Sequence, residues 1–166
     1  MSLPDLLHIL QMATKPLAAD FASERFIRLY LYVHGVRDLE RGVYRHDSET
    51  NTILLIKPGD QRVAAAGLSL GQALAGNACV AFSMVADLQR ATELYGDRGY
   101  RYAYFEAGAI GQRMYIGAES AGLQATGIGA FYDDKVHEYL ELQPQEGQVI
   151  YHFAIGHAIP DLRVQA

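Results

Sequence analysis

Residues 99–131, GYRYAYFEAGAIGQRMYIGAESAGLQATGIGAF, decide how the rest of the chain is read. Tyr100, Ala103, Ala107, Ile110, Met114, Ala118 and Ala121 recur at intervals of three and four, the period of one helical face held for about six turns. One long helix is therefore expected. Ala107, Gly108, Gly111, Gly117 and Ala118 place small side chains along it. Glycine costs a helix roughly 1 kcal/mol relative to alanine, so a closely approaching backbone is expected to offset it. Gly122 stands where a left-handed helix cap belongs, and Leu123 to Ile128 reads as a short strand of small residues running into Gly127 and Gly129.

Outward from this stretch, strands and helices alternate without a strict βαβ repeat. Ser2, Pro4 and Asp5 suit the start of a helix carrying Leu3, Leu6, Leu7, Leu10 and Ala13, which Pro16 ends. Lys15 to Arg25 has no clear period. Leu29, Leu31 and Val33 alternate with Tyr30, Tyr32 and His34, the two-residue period of a strand, with Tyr30 and Tyr32 turned toward a second buried layer. Gly42 to Asp47 and Thr52 to Lys57 read as a hairpin through polar residues that bond their own backbone, stopped by Pro58-Gly59.

Asp60 is expected to cap one helix carrying Val63, Ala66, Leu70 and Leu74 and ending at Gly76-Asn77. The apolar run Ala78 to Val85 predicts a strand covered on both faces. Asp87 caps a short helix to Leu94, and Tyr95-Gly96 breaks it from the long one. After Phe131, a helix with Val136 and Leu140 precedes a last strand, Gln148 to Ile155. The pattern predicts an α+β class domain, a mostly antiparallel central sheet flanked by helices, in one unit spanning residues 1–166.

Composition narrows the function classes. At 166 residues and 50% hydrophobic, the chain is long enough for one substantial core. A net charge of -5 without clustered Lys and Arg argues against a nucleic-acid surface. No run approaches the ~20 apolar residues of a membrane span, no leader is visible, and the lone Cys79 sits in an apolar run, so a cytoplasmic protein without membrane contact is expected. No metal site is expected either: His152 and His157 have no Cys or carboxylate at ligand spacing, and Glu106 and Glu119 lie near opposite ends of one helix. Gly127-Ile128-Gly129 begins like a dinucleotide fingerprint, but Tyr132 replaces its third glycine. Nucleophilic hydrolysis finds no Gly-x-Ser-x-Gly turn.

Several motifs together resemble the flavin nitroreductase superfamily, and within it the SagB-type dehydrogenases. They are Glu106-Ala107-Gly108 with Gln112, Ala121-Gly122-Leu123, Gly127-Ile128-Gly129-Ala130-Phe131, Tyr95-Gly96-Asp97-Arg98-Gly99-Tyr100-Arg101, and Gly42-Val43-Tyr44-Arg45-His46-Asp47. The resemblance runs from about Leu29 to Arg163. It implies a nitroreductase-like fold, an intertwined homodimer with FMN at the interface, and hydride transfer on a small organic or peptide-derived substrate. It also implies roles for particular residues. Gly127, Ile128, Gly129 and Ala130 would offer backbone beside the flavin ring, where glycine keeps a Cβ out of the way. Read on its own, the same segment is a strand end that needs glycine to turn. Arg163 matches a basic residue that contacts flavin phosphate, against the reading of a solvated tail arginine.

Tyr95 falls where azoline-oxidising members carry a Lys-Tyr pair linked to proton transfer. Here the pair is Leu94-Tyr95, which leaves only a phenol and sets azole formation aside; the other reading of Tyr95 is a half-buried aromatic at a helix end. The family's phosphate-gripping Arg-Arg-Ser segment has no counterpart before the first helix, and Ala19-Asp20-Phe21-Ala22 replaces its Pro-Ser-Ala-Gly. Charge-assisted contacts contribute ~1.5 to 3 kcal/mol each, so FMN is expected to bind more weakly than in the family, unless the gene encodes that segment ahead of Met1. The alternative reading is a member that has lost flavin and serves as a dimeric binding or regulatory module.

Overall fold

Six strands form one sheet in the order β3-β2-β1-β4-β6-β5, with every neighbouring pair antiparallel. They are β1 (Ile27–Val33), β2 (Gly42–Asp47), β3 (Thr52–Pro58), β4 (Val80–Ala86), β5 (Gln124–Ile128) and β6 (Gln148–Gly156). The computed structural model describes residues 1–20 and 24–159. Two groups of helices cover the sheet. On one face, α1 (Leu3–Ala13), α4 (Leu88–Tyr95) and α5 (Asp97–Ser120) pack against Leu29, Leu31, Val33, Val80, Phe82, Met84, Phe153 and Ile155. On the other, α2 (Arg62–Leu68), α3 (Ala73–Asn77) and α6 (Asp133–Leu140) cover Tyr30, Tyr32, Ala81, Val85, Val149 and Ala154. β1 and β4 therefore send alternate residues into two cores, which is why both read as covered strands. Among the described residues no helix is long and apolar enough to cross a membrane.

Local sequence explains most of the element ends. Ser2 and Asp5 form a reciprocal capping box at α1, and the Asp87 side chain accepts from the Arg90 N–H at α4. At the end of α5, Gly122 adopts a left-handed φ of 68° and donates to Glu119 O, while Leu123 donates to Ala118 O. That pair of bonds is a Schellman cap, and it turns the chain straight into β5.

The long helix matches its prediction in length but not in every detail of its face. Its buried residues include Ala103, Ala107, Ile110, Gly111, Met114 and Ala118, whereas Tyr100 and Ala121 are exposed. Gly108 also faces outward, with no atom of the described residues within 4 Å of where a Cβ would stand. The other glycines admit neighbours inside the chain: a Cβ on Gly111 would lie 3.2 Å from the Tyr151 ring, and one on Gly117 3.1 Å from Ile9.

The single helix expected from Asp60 to Asn77 is two. Leu70 and Gly71 both take left-handed φ values, 55° and 73°, between α2 and α3. Leu68 O accepts from the Tyr132 N–H at 3.0 Å, a tertiary contact in place of a continued helix. Gln61, not Asp60, is the N-cap residue, with Asp60 Oδ1 accepting from the Arg62 N–H at 3.0 Å. The expected apolar face is not the buried one either: Val63 is 89% exposed, and Ala65, Leu68 and Ala75 enter the core.

Candidate functional site

β5 is an edge strand, paired on one side with β6 (Gly127 opposite Phe153, Ile128 opposite His152). Its alternation sends Ala125 toward the α1–α5 core and Ile128 into the core beneath α2 and α6. On the α5 side, the Gly127 N–H donates to the Tyr115 hydroxyl at 2.7 Å. The Tyr151 hydroxyl occupies the space a Cβ on Gly127 would need. Glycine at 127 is thus required by a side chain of the same molecule, and its backbone donor is already engaged.

Two residues further on, the surroundings change. Gly129 and Ala130 are exposed, nothing stands within 4 Å of a Cβ built on Gly129, and among the described residues neither N–H has an acceptor. Of the four residues in the motif, Gly129 and Ala130 present open backbone, while Ile128 is buried and Gly127 is tied to two tyrosines.

This short segment is held from behind. Gln72 Nε2 donates to Ala130 O at 3.2 Å, the Tyr132 N–H donates to Leu68 O, and the Phe131 ring stacks on His152 with centroids 4.6 Å apart and planes at 16°. His152 is 2% exposed and lies between two hydroxyls: Ser69 Oγ at 3.0 Å from Nδ1 and Ser83 Oγ at 2.9 Å from Nε2. Ser83 in turn lies 3.1 Å from the Tyr32 hydroxyl. Burial lowers the His152 pKa to about 4 and keeps the ring neutral near pH 7, while burial raises the Tyr32 phenol.

Beside β5 on the α3 side runs an open cleft of about 400 Å³, bounded by Gln124 to Thr126, by Leu74 and Asn77, and by Gly156, His157 and Ile159 near the end of β6. Its described lining carries amide, hydroxyl and imidazole groups and apolar surface, but no Lys or Arg. Arg163 lies outside the described residues.

Tyr95 stands elsewhere. It packs edge-on against Phe26 and Tyr102, with centroids at 6.2 and 5.3 Å, beside the start of β1, and β4 and β6 separate β1 from β5. Within one chain it is a half-buried aromatic and is not brought to Gly129. Nearby, the Glu106 carboxylate accepts from the Phe26 N–H at 2.8 Å, and burial raises its pKa. It anchors the entry to β1.

Sequence reasoning missed the polar chain through His152. A signal was present: Ser83 interrupts the apolar run 78–85, and a hydroxyl in a strand covered on both faces needs a buried partner. Which residue supplies that partner is a matter of tertiary structure.

Residues 5–157 match the sequence model of the nitroreductase family. Over 117 residues the chain is 33% identical to a protein of Methanocaldococcus jannaschii that is itself provisionally named a nitroreductase, a match covering 70% of this chain and 59% of that one. A crystal structure of a provisionally named nitroreductase from Anabaena variabilis superposes with a TM-score of 0.84 at 30% identity, covering 96% of this chain and 34% of that chain. The NADPH:FMN oxidoreductase of Vibrio harveyi, solved with NAD+, shares the fold at a TM-score of 0.67 and 20% identity, covering 100% of this chain and 64% of that one. The chain thus spans 59% of the archaeal relative and about a third of the cyanobacterial one.

Proposed function

Because the chain belongs to the nitroreductase family, we propose that it is a single FMN-dependent oxidoreductase domain of the SagB-type branch, working in the cytoplasm on a small organic or peptide-derived substrate. The observation that carries this reading is the pair of exposed N–H groups at Gly129 and Ala130, which have no acceptor among the described residues, just past the strand whose earlier residues Gln124 to Thr126 line the cleft. FMN would supply the redox chemistry, accepting or giving a hydride. The chain's own contribution is position: the bare backbone of Gly129 lets a flat ring approach, and donors fixed in advance favour negative charge developing on it.

The ring half of the cofactor fits these residues better than the phosphate half. Asn77, Gln124, Thr126 and His157 offer hydrogen bonds along the cleft but no fixed positive charge. In this reading Arg163 supplies that charge. The proposed homodimer would use the outer face of α5, where Tyr100, Tyr104 and Ile116 are exposed around Gly108. The second reading, a flavin-less dimeric binding or regulatory module, is favoured by the lack of Lys or Arg in the described lining of the cleft.

FMN titration of the purified protein separates the two. Added FMN is expected to colour the protein and raise its melting temperature by mass action on the folded state. Arg163→Ala should weaken FMN and leave riboflavin unaffected, since only FMN carries the phosphate. Gly129→Val should remove flavin binding at little cost in folding, whereas Gly127→Val should lower the melting temperature by forcing Tyr151 aside. A colourless protein indifferent to saturating FMN would leave the binding module as the function.

A further inference from the structure

Ser69, His152, Ser83 and Tyr32 form an unbroken line of polar groups inside the sheet and beneath α2, every one of them buried. An apolar core of the same shape would cost nothing in desolvation, and a buried polar group is tolerated only when its bonds are complete. Buried networks of this kind specify one geometry more than they add stability. The geometry specified here lies next to the open backbone. Ser69 immediately follows Leu68, whose carbonyl takes the Tyr132 N–H, and stands three residues before Gln72, whose amide holds Ala130 O. The edge of the His152 ring thus fixes the turn that grips Ala130 and Tyr132. Its face supports Phe131, the residue between them. Both supports converge on the strand end where Gly129 and Ala130 leave β5.

We propose that His152 is a positioning residue that sets where the N–H groups of Gly129 and Ala130 stand, acting through Ser69 on one side and Phe131 on the other. The geometric claim stands on the chain alone, and its consequence for the cofactor rests on the flavin reading above. A neutral imidazole suits the task because one nitrogen donates and the other accepts, so it satisfies both serines at once. A phenylalanine in its place would keep a stack against Phe131 and lose both hydrogen bonds.

Amide hydrogen exchange of the flavin-free protein, resolved by residue, tests the claim. Removing one hydrogen bond changes a local opening equilibrium by about fivefold, so Ser69→Ala should speed exchange at Tyr132 by about that factor while Leu31 and Phe82 in the central strands are unchanged. His152→Phe should do the same at Tyr132, and Ser69→Thr, which keeps the hydroxyl, should restore the wild-type rate. Where FMN binds, its affinity and that of riboflavin should fall together in Ser69→Ala, since the ring contact rather than the phosphate contact is disturbed. Unchanged exchange at Tyr132, or equal acceleration of every amide, would make His152 an ordinary core residue and overturn the proposal. A wild-type protein that binds no flavin would remove the flavin reading, and the exchange result would still decide the positioning role.

Discussion

On the α1–α5 face of the sheet, small residues let neighbours come close: Gly111 lies under the Tyr151 ring, Gly117 against the Ile9 side chain, and Gly99 against the Ala91 carbonyl. On the α2–α6 face the same sheet is tied by hydroxyls and imidazoles, with His152 between two serines and His34 Nε2 bonded to Ala75 O at 3.2 Å. Close packing of small residues shapes the first face, where Glu106 and His46 are also buried. The second face gains a fixed geometry beside the open strand end and becomes sensitive to protons. A domain that must hold one edge in a defined place while keeping a stable spine has divided the two tasks between its faces.

Acid gives the largest expected effect, carried chiefly by two buried histidines of the second face. Burial lowers both His34 and His152 from 6.5 to about 4, with Arg62 adding to the shift at His34. The unfolded chain then takes up these protons below about pH 6.5 and the folded chain does not, so stability should fall between about pH 6.5 and 4 and level off below. Each displacement corresponds to at most ~3 kcal/mol. Glu106 works in the opposite sense on the first face: burial raises its carboxyl, so ionisation above its folded pKa costs stability, and that cost relaxes as pH falls. Denaturant titrations from about pH 7.5 down to 4 should therefore show a net decline, and His152→Phe should remove part of the histidine slope, with His34 and His46, whose pKa burial also lowers, carrying the rest. A flat profile in wild type would mean that these rings take up protons in the folded state as readily as in the unfolded one.

Gly99→Ala comes next and probes the first face. The added methyl would fall on the Ala91 carbonyl, and both partners are helix backbone with no side chain able to swing away. Overpacking costs 1–3 kcal/mol in most cores, and here a loss of about 3 kcal/mol or more is expected. For a chain of this size that is about 10 °C in melting temperature. A loss below about 1 kcal/mol would show that α4 and α5 can slide apart, and that this face is softer than its contacts imply.

The same contrast governs what could be read from the sequence. Features encoded within a few residues were legible: the Ser2–Asp5 capping box, the cap at Gly122, and the hairpin whose Asp47 side chain accepts from the Glu49 N–H at 2.8 Å. The doubly covered β4 was legible because its apolar run has no solvent face. The break between α2 and α3 was not, because the left-handed Leu70 depends on bonds from Leu68 and Ser69 to Tyr132 and His152, distant in the chain. At the candidate site, glycine at 127 and 129 signalled close backbone approach. That Gly127 answers to Tyr151 while Gly129 stays open follows only from how β5 lies against β6 and α5.

The smallest effect separates the inner and outer sides of α5. Gly108 sits mid-helix with open space around its missing side chain, so Gly108→Ala removes a helix penalty and restricts the unfolded chain without a clash. A gain of about 0.5–1 kcal/mol is expected in dilute solution, against a loss at Gly111→Ala on the packed side, where the methyl would lie 3.2 Å from the Tyr151 ring. Concentration then becomes informative. If the outer face of α5 meets a second copy closely, the methyl at 108 must be accommodated between two helices, and the gain should shrink or reverse as the protein is concentrated, with sedimentation showing a weaker dimer than wild type. A gain that holds at every concentration, with sedimentation unchanged, would take Gly108 out of any subunit contact and leave its openness a property of the single chain.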